Sequence, residues 1–463
     1  MRIAGRTAAV DGFTSRTTPG ANSARPRNGT SSKIRRRGRV LIAAGAAAAL
    51  GLTLAACGSS SSGGGGGGGG AGDTGSPSSA AKAGAPINVG VVTSLSGGYA
   101  SGFLTVENGI KARFGVENAK GGVDGHKLTY TMADDASSAS GALSATQKLI
   151  KQDKVYAILD ASSSFFGAAP AAKTADMPVI GVSFDGGPEW DAKSYPTFFD
   201  SSGYADYSLA ATTFGQFFKA QGCTKVAAIG NTGPSSGRAA EGAVISAKKA
   251  GLAEGYLNAK LAPGSTDIGP EVIAVKNSGS DCLYMPVTPS LAFAVVAGLK
   301  QAGVNMKAIL LPTGYGGDIL ASKPAVAAAQ GVDFQAAGAV ELKTPGTEAF
   351  QAALKQYANV TTIPTFGEYV GWGLADLFIY GLQQAGGDAS QADLVKALRN
   401  STTWNGGLGD NHTINFADPA PVAGGLAAGN CMTVVKLTGD AFKLIDGAAP
   451  ICGDIIEGVK ISQ

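Results

Sequence analysis

From residue 86 onward, short apolar runs alternate with stretches of helical periodicity. The first series predicts five strands, at 87–92, 128–132, 155–159, 178–182 and 195–199. A second series predicts four more, at 225–230, 255–261, 281–285 and 308–311. Helices are predicted between them, among them 103–118, 238–250, 268–278 and 291–302. Alternation of this kind is typical of parallel sheets covered by helices on both faces. Residues 86–463 are too many to pack around one hydrophobic core, so we expect an α/β protein with two sheets.

Two such sheets placed side by side leave a cleft at the carboxyl ends of their strands, where open α/β sheets bind ligands. The sequence offers little for catalysis there. It has only two histidines, no phosphate-binding Gly-x-x-x-x-Gly-Lys loop and no close cysteine pair that could bind a metal. The adjacent acids Asp134 and Asp135 precede a predicted helix and are expected to cap it. We therefore predict a binding protein without metal or cofactor, not an enzyme.

The region before the body is typical of an exported lipoprotein. A basic cluster at 35–39 precedes an apolar run at 40–54 and the sequence Leu-Ala-Ala-Cys, which ends at Cys57. The run is shorter than the about 20 residues of a membrane-spanning helix, and its flanks are those of a secretory signal. The last four residues resemble the bacterial lipobox. We predict a signal peptide at 1–56, lipidation of Cys57, and a flexible Gly/Ser-rich linker at 57–85.

Cleavage would reverse the net charge. The whole chain has 37 Lys+Arg and 34 Asp+Glu, a net charge of +3, and residues 1–56 hold ten bases and one acid. The remainder has 37 − 10 = 27 bases and 34 − 1 = 33 acids, a net charge of −6. This excess of acids, without a basic stripe, argues against a nucleic-acid partner.

Four cysteines remain after Cys57, and they are Cys223, Cys282, Cys431 and Cys452. An even number outside the cytoplasm favours two disulfides, for which three connectivities exist, although buried free thiols stay an alternative. If the second sheet has the strand order 2-1-3-4, Cys223 and Cys282 lie at the starts of neighbouring strands. The other two cysteines bracket a predicted hairpin. The simplest pairing is therefore 223–282 and 431–452.

Four motifs occur in register, and together they resemble one family. They are 87–98 (INVGVVTSLSGG), 118–128 (NAKGGVDGHKL), 133–135 (ADD) and 160–164 (DASSS). Their order resembles the type I periplasmic-binding family of leucine/isoleucine/valine receptors, the ligand-capturing subunits of ABC importers. The resemblance implies two flavodoxin-like or Rossmann-like lobes joined by three crossing strands and closing by a hinge motion. The expected boundaries are 86–204 with 338–403 for lobe 1, and 205–337 with 404–463 for lobe 2.

The resemblance also implies a ligand site. A ligand carboxylate would meet Ser162 or Ser163 after the third strand and Ser183 after the fourth, with Asp185 two residues further on. The serines after the third strand could also simply cap the following helix. Further candidates lie elsewhere in the two lobes, and they are Tyr99, Asp206, Ser236 and Tyr315. Phe184 and Tyr284 are additional candidates for apolar walls.

The ligand class stays open at this point. Relatives that bind α-amino acids use a tyrosine where this chain has Ser236, and a glutamate where it has no acid before Asp318. Either Asp185, Asp206 or Asp318 replaces that ammonium anchor, or the ligand lacks an ammonium group.

The expected function is a receptor anchored by lipid to the outer face of the cell membrane. It would capture an amino acid of the branched-chain type, or a similar small carboxylate, and present it to ABC permease subunits. A ligand sensor feeding a membrane signalling partner, a receptor for a different ligand, and a surface enzyme or adhesive lipoprotein are the alternatives.

Overall fold

The computed structural model describes residues 84–406, 408 and 413–462. The predicted signal peptide, Cys57 and most of the predicted linker lie outside these residues. The strands of the described part, in chain order, are β1 (Ile87–Thr93), β2 (Leu128–Asp134), β3 (Ile158–Ala161), β4 (Val179–Gly181), β5 (Phe198–Asp200), β6 (Tyr204–Asp206), β7 (Lys225–Asn231), β8 (Ala253–Leu261), β9 (Cys282–Tyr284), β10 (Ala308–Leu311), β11 (Asp333–Gln335), β12 (Pro421–Ala423), β13 (Cys431–Met432), β14 (Val434–Thr438), β15 (Ala441–Leu444) and β16 (Ile451–Cys452).

The α-helices of the same residues are α1 (Val106–Ala119), α2 (Ala139–Lys151), α3 (Ala169–Thr174), α4 (Thr213–Ala220), α5 (Pro234–Lys249), α6 (Gly269–Ser278), α7 (Pro289–Gln301), α8 (Gly317–Leu320), α9 (Lys323–Ala329), α10 (Pro345–Ala358), α11 (Phe366–Ala385) and α12 (Gln391–Arg399). Among the described helices, none combines the length and apolar character needed to cross a membrane.

The first sheet has the strand order β2-β1-β3-β4-β5, and all its pairings are parallel. Both faces are buried, as the alternation predicts. Val91 and Leu159 belong to a core that includes residues of α1 and α11, whereas Val92 and Ile158 face a second core with residues of α2 and α3. The first lobe is therefore a helix–sheet–helix sandwich.

The second sheet has the order β15-β14-β11-β10-β9-β7-β8. The strands β8-β7-β9-β10-β11 are parallel, and β14 and β15 extend the edge as an antiparallel hairpin. Alternate residues of β7 enter opposite cores: Val226 and Ala228 face one, Ala227 and Ile229 the other. The prediction of two mixed α/β lobes with parallel sheets is confirmed.

The chain passes between the two sheets three times, at 202–212, 336–344 and 417–433. The first and third crossings pair with each other, because β6 and β12 run parallel with Tyr204 opposite Pro421 and Asp206 opposite Ala423. The second crossing contains a short 3₁₀ helix, Val340–Leu342. Two crossing segments thus pair as strands, and the third forms a helical turn.

Two details differ from the sequence expectations. The third strand lies at Ile158–Ala161 instead of 155–159, because it includes the buried Asp160, whose polarity hides it from an apolar pattern. Trp404, Ile414 and Phe416 pack into the core of the first sheet, on α11, rather than into the second lobe to which residues from 404 onward were assigned.

Both predicted disulfides are present. Cys223 is bonded to Cys282, with the Cα atoms 5.9 Å apart, and Cys431 is bonded to Cys452. The first bond joins the segment before β7 to the start of the neighbouring strand β9, as the strand order predicts. The second links β13 and β16, which pair as antiparallel strands.

Candidate functional site

A cavity of about 280 Å³ lies between the carboxyl ends of the two sheets. The first lobe contributes residues that follow β1, β3, β4 and β5: Tyr99, Ser163, Phe184 and Ser201. The second lobe contributes residues at or after the ends of β7, β9, β10 and β11: Asn231, Pro286, Pro312 and Gln335. This is the edge at which parallel sheets present loops to ligands.

The crossing segments close the remaining sides. Tyr207 lies in the first crossing, and Leu426 and Met432 lie in the third. Phe366, at the start of α11, and Ile414 complete the wall. The cavity is thus built from the elements that connect the two lobes as well as from the lobes themselves.

Three phenylalanines of the first lobe form an aromatic cluster on the cavity wall. The ring centroids of Phe103 and Phe184 are 5.5 Å apart, those of Phe184 and Phe366 are 5.4 Å apart, and those of Phe103 and Phe366 are 6.3 Å apart. All three residues line the cavity. Tilted rings at these distances are favourable for aromatic packing, so the wall suits a flat or branched apolar solute.

None of the described residues that line the cavity has a charged side chain. Its polar groups are hydroxyls and carboxamides. Several are already occupied: the hydroxyl of Ser235 donates to the carbonyl oxygen of Phe184, that of Ser236 to Pro286, and that of Thr313 to Val287. An ion that entered the cavity would have to be stabilised by neutral dipoles.

Buried acids stand behind the wall of the first lobe. Burial, reinforced by the neighbouring Asp185, raises the pKa of Asp160 well above its ordinary value. Burial and the neighbouring Glu189 do the same to the pKa of Asp185, whose Oδ1 accepts from Trp190 Nε1 at 2.8 Å. Burial also raises the pKa of Asp200 to about 6, although hydrogen bonds from Ser202 oppose the shift. Burial thus disfavours negative charge on all three acids behind this wall.

Three of the eight predicted ligand residues line the cavity, and they are Tyr99, Ser163 and Ser236. Ser163 lies in the turn after β3, where the resemblance implied a contact. Burial, and to a lesser degree the charge of Asp135, raises the pKa of Tyr99, so its phenol is a neutral hydrogen-bonding group. Ser236 caps the end of β7, since its oxygen accepts from the backbone N–H of Asn231 at 2.7 Å.

Three other candidates lie behind the cavity wall rather than in it. Ser162 is fully buried, and its hydroxyl donates to the Asp135 carboxylate. Ser183 is buried too, and its hydroxyl lowers the pKa of the neighbouring Asp200. Asp185 is likewise buried, with Trp190 as its partner. All three belong to the polar network beneath the strand ends.

The last two candidates also have internal partners. Asp206 Oδ1 accepts from the backbone N–H of Ser208 at 2.8 Å within its own turn. The Tyr315 hydroxyl donates to Glu341 Oε2 at 2.7 Å and accepts from the Val340 N–H at 3.1 Å. Neither residue lines the cavity.

The two adjacent acids do not cap the helix, contrary to expectation. Ser138 is the N-cap of α2, and its side chain accepts from the Gly141 N–H. Asp134 instead accepts from the backbone of Leu95 and Ser96 in the turn after β1, while Asp135 receives the Ser162 hydroxyl. Both acids therefore tie neighbouring strand ends together.

The cavity is also lined by Asn231, Ser201, Phe103 and Phe366, which were not among the ligand residues predicted from the sequence. Asn231 and Ser201 could have been recognised from the sequence, since each is a polar residue at or directly after the end of a buried strand. Phe103 and Phe366 could not have been recognised in this way, because an apolar residue at the start of a helix is equally consistent with core packing.

The comparisons with known proteins agree with this architecture. The family model for periplasmic binding proteins matches residues 86–441. The chain therefore belongs to the periplasmic binding protein family, which consists of binding proteins that act outside the cytoplasm, and it is not an enzyme. Among curated proteins, none matches the sequence.

Solved structures share the fold at low sequence identity. A solute-binding protein of an ABC transporter from R. palustris, in complex with benzoate, is 18% identical with a TM-score of 0.64, over 81% of this chain and 99% of that chain. A fatty acid ABC transporter substrate-binding protein from Thermomonospora curvata is 18% identical with a TM-score of 0.65, over 80% and 93%. A leucine-binding protein from Thermotoga maritima is 15% identical with a TM-score of 0.61, over 79% and 99%. At these identities the likeness shows the fold alone.

Proposed function

We propose that this chain is the solute-binding subunit of an ABC importer, and that it captures a small apolar carboxylate between its two lobes. The observation that carries the proposal is the cavity itself: aromatic and aliphatic walls from both lobes, with no charged side chain among the described lining residues. Solved binding proteins of the same fold for benzoate, fatty acid or leucine support a solute of this size and character.

The lining favours a carboxylate without an ammonium group over an α-amino acid. A buried ammonium ion needs a carboxylate partner, because its desolvation is otherwise uncompensated. Asp185 and Asp206, the expected partners, do not line the cavity, and neither does Asp318. A carboxylate, by contrast, can be held by neutral donors.

The donors we assign to the carboxylate are hydroxyls of the first lobe. Ser163 and Ser201 line the cavity, and within the described residues their hydroxyls form no hydrogen bond. The Tyr99 phenol lies on the same rim. The aromatic cluster of Phe103, Phe184 and Phe366 would then cover the apolar part of the solute.

Capture follows from the placement of the cavity between lobes. A solute that contacts both lobes stabilises the closed arrangement and shifts the population toward it. An importer that recognises the closed arrangement would thereby distinguish loaded from empty receptor. The three crossings at 202–212, 336–344 and 417–433 are the segments about which the lobes would move.

A binding panel tests the ligand class. The purified protein is titrated calorimetrically with benzoate, octanoate, 4-methylpentanoate and leucine. The last two form a matched pair, because leucine differs from 4-methylpentanoate only by its ammonium group. We expect at least one acid to bind and 4-methylpentanoate to bind at least tenfold more tightly than leucine. Preference for leucine would overturn the ligand class, and absence of binding by every acid would overturn the carboxylate proposal as a whole.

We propose further that the receptor is anchored to the membrane by a lipid on Cys57. The support is the lipobox-like sequence that ends at this residue and the Gly/Ser-rich stretch that follows it. In a bacterium that processes lipoproteins, the wild-type chain should fractionate with membranes, and Cys57→Ala should move to the soluble fraction. Equal distribution of the two proteins would contradict the anchor.

A further inference from the structure

Asn231 holds a central position on the second-lobe side of the cavity. It is the last residue of β7, which lies between β8 and β9 in the sheet. The residue lines the cavity although only 2% of its surface is exposed. Its backbone N–H donates to Ser236 Oγ at 2.7 Å, which fixes the end of the strand and the side chain with it.

The side-chain oxygen of Asn231 is buried and, among the described residues, accepts no hydrogen bond. The polar neighbours on the same side are committed elsewhere: the hydroxyls of Ser235 and Ser236 donate to carbonyls at 184 and 286, and the Thr313 hydroxyl donates to the Val287 carbonyl at 2.8 Å. These three hydroxyls therefore cannot satisfy the Asn231 oxygen without rearranging.

An unpaired buried amide destabilises a protein, and buried polar groups in native structures almost always have a partner. Asn231 lies where the strand ends open into the cavity, so the missing partner is whatever occupies the cavity. A carboxamide both donates and accepts hydrogen bonds. It matches an uncharged hydroxyl, which does the same.

We propose that Asn231 determines specificity by binding a hydroxyl group of the solute, at the end remote from the carboxylate. This inference rests on the proposed function and narrows it to hydroxylated apolar acids, either aromatic or aliphatic. The carboxylate meets Ser163 and Ser201 of the first lobe, and the hydroxyl meets Asn231 of the second. Each lobe then binds one polar end of the same solute. A solute whose length matches the distance between these groups bridges the lobes and stabilises the closed arrangement.

Matched pairs of acids test the proposal. The probes are benzoate with 4-hydroxybenzoate, and hexanoate with 6-hydroxyhexanoate, titrated against the wild-type protein and Asn231→Leu. In at least one pair, we expect the hydroxylated acid to bind roughly tenfold more tightly or better to the wild type. In Asn231→Leu the ratio of the two affinities should fall to less than about threefold, whatever change in affinity the two acids of a pair share.

The plain acid of each pair is the internal control. If Asn231 only supports the fold or binds a solvent molecule, the substitution will weaken both members alike or neither, and the inference is then wrong while the proposed function stands. A wild-type protein that binds the plain acids without preferring the hydroxylated ones overturns the inference in the same way. Failure of all four acids to bind, while octanoate or 4-methylpentanoate binds, also overturns the inference alone. If those two acids fail as well, the proposed carboxylate ligand is overturned, and this inference with it. Asn231→Ala provides a second variant if the larger side chain of Asn231→Leu prevents folding.

Discussion

The guanidinium of Arg238 donates a hydrogen bond from Nη1 to the carbonyl oxygen of Gly186, over a distance of 3.1 Å. Arg238 lies in α5 of the second lobe, and Gly186 lies in the loop after β4 of the first. The Ser235 hydroxyl donates to the Phe184 carbonyl of the same loop. These bonds join the two lobes directly beside the cavity and exist only while the lobes are together.

We predict that Arg238→Ala weakens solute binding without unfolding either lobe. A hydrogen bond of this kind contributes about 1 kcal/mol, so its loss lowers the population of the closed arrangement and the apparent affinity by about fivefold. Calorimetric titration with the tightest acid of the panel measures the affinity, and small-angle scattering of the unliganded protein should show a larger radius of gyration.

Arg113→Ala is the matched control for Arg238→Ala. The Arg113 guanidinium contacts Asp376 at 2.8 Å and Glu117 at 3.1 Å, both within the first lobe and away from the cavity. This variant should lose stability but keep its affinity. If both variants bind as the wild type does, the bond to Gly186 does not assist closure.

A second prediction separates two adjacent serines. The Ser162 hydroxyl bridges Asp135 and the backbone N–H of Ser164, from which it accepts at 2.9 Å. Ser162→Ala removes the partner of Asp135 Oδ2 and of the Ser164 N–H in a buried site, so we expect a loss of about 2 kcal/mol in the free energy of unfolding and little change in affinity. Ser163→Ala should do the reverse, with affinity for the acid reduced about fivefold and stability unchanged.

Denaturant unfolding and titration of the two variants provide the measurements. The resemblance assigned the ligand contact to either serine, and the structure distinguishes them by burial. A Ser162→Ala protein of normal stability that no longer binds the acid would restore Ser162 as the ligand contact.

The fold was predictable because burial leaves a direct trace in the sequence. Strands such as β1 and β7 are covered on both faces and read as apolar runs, and the helices between them have the usual periodicity. The strands that were missed are short and polar or lie in the crossings. Asp333–Gln335, for example, is a strand only because β10 and β14 lie on either side of it. Pairing of this kind depends on distant segments and cannot be recognised locally.

The site was predictable only in part, for a similar reason. The sequence located the correct strand ends, but the direction of each side chain depends on the turn that follows the strand. Ser162 points into the network beneath the turn, whereas its neighbour Ser163 lines the cavity. Residues from the crossings, such as Tyr207 and Met432, reach the cavity through the tertiary arrangement alone.

Asp200 is expected to make acid binding depend on pH. Burial raises its pKa to about 6, and Ser201 and Ser202, which follow it, line the cavity. A bound carboxylate would disfavour ionisation of Asp200 further, so binding takes up protons around this pH. We therefore expect affinity for the acid to be highest below pH 6 and to fall about fivefold as the pH rises to 8.

Asp200→Asn should remove most of this dependence, because the amide does not titrate. Titration calorimetry of both proteins between pH 5 and pH 8 provides the comparison. A rise in affinity with pH, or an unchanged dependence in Asp200→Asn, would show that Asp200 does not sense the bound carboxylate.

The two disulfides should differ in what they support. The bond between Cys223 and Cys282 closes a separation of 59 residues, and neither cysteine lines the cavity. Loop-closure entropy predicts that its removal costs about 4 kcal/mol. The bond between Cys431 and Cys452 closes a separation of only 21 residues, for which the same treatment gives about 3 kcal/mol. Cys431, however, lines the cavity next to Met432.

We therefore predict that replacing Cys223 and Cys282 together by alanine lowers the free energy of unfolding more than it weakens the free energy of acid binding. Replacement of Cys431 and Cys452 should weaken the free energy of acid binding by at least as much as it lowers the free energy of unfolding. The reason is that this disulfide holds the third crossing against the cavity. Denaturant unfolding and titration of both double variants test this division. Disulfides form and persist outside the cytoplasm, so we expect the chain to carry both bonds there. Equal effects of the two replacements on affinity would show that the third crossing keeps its place without its disulfide.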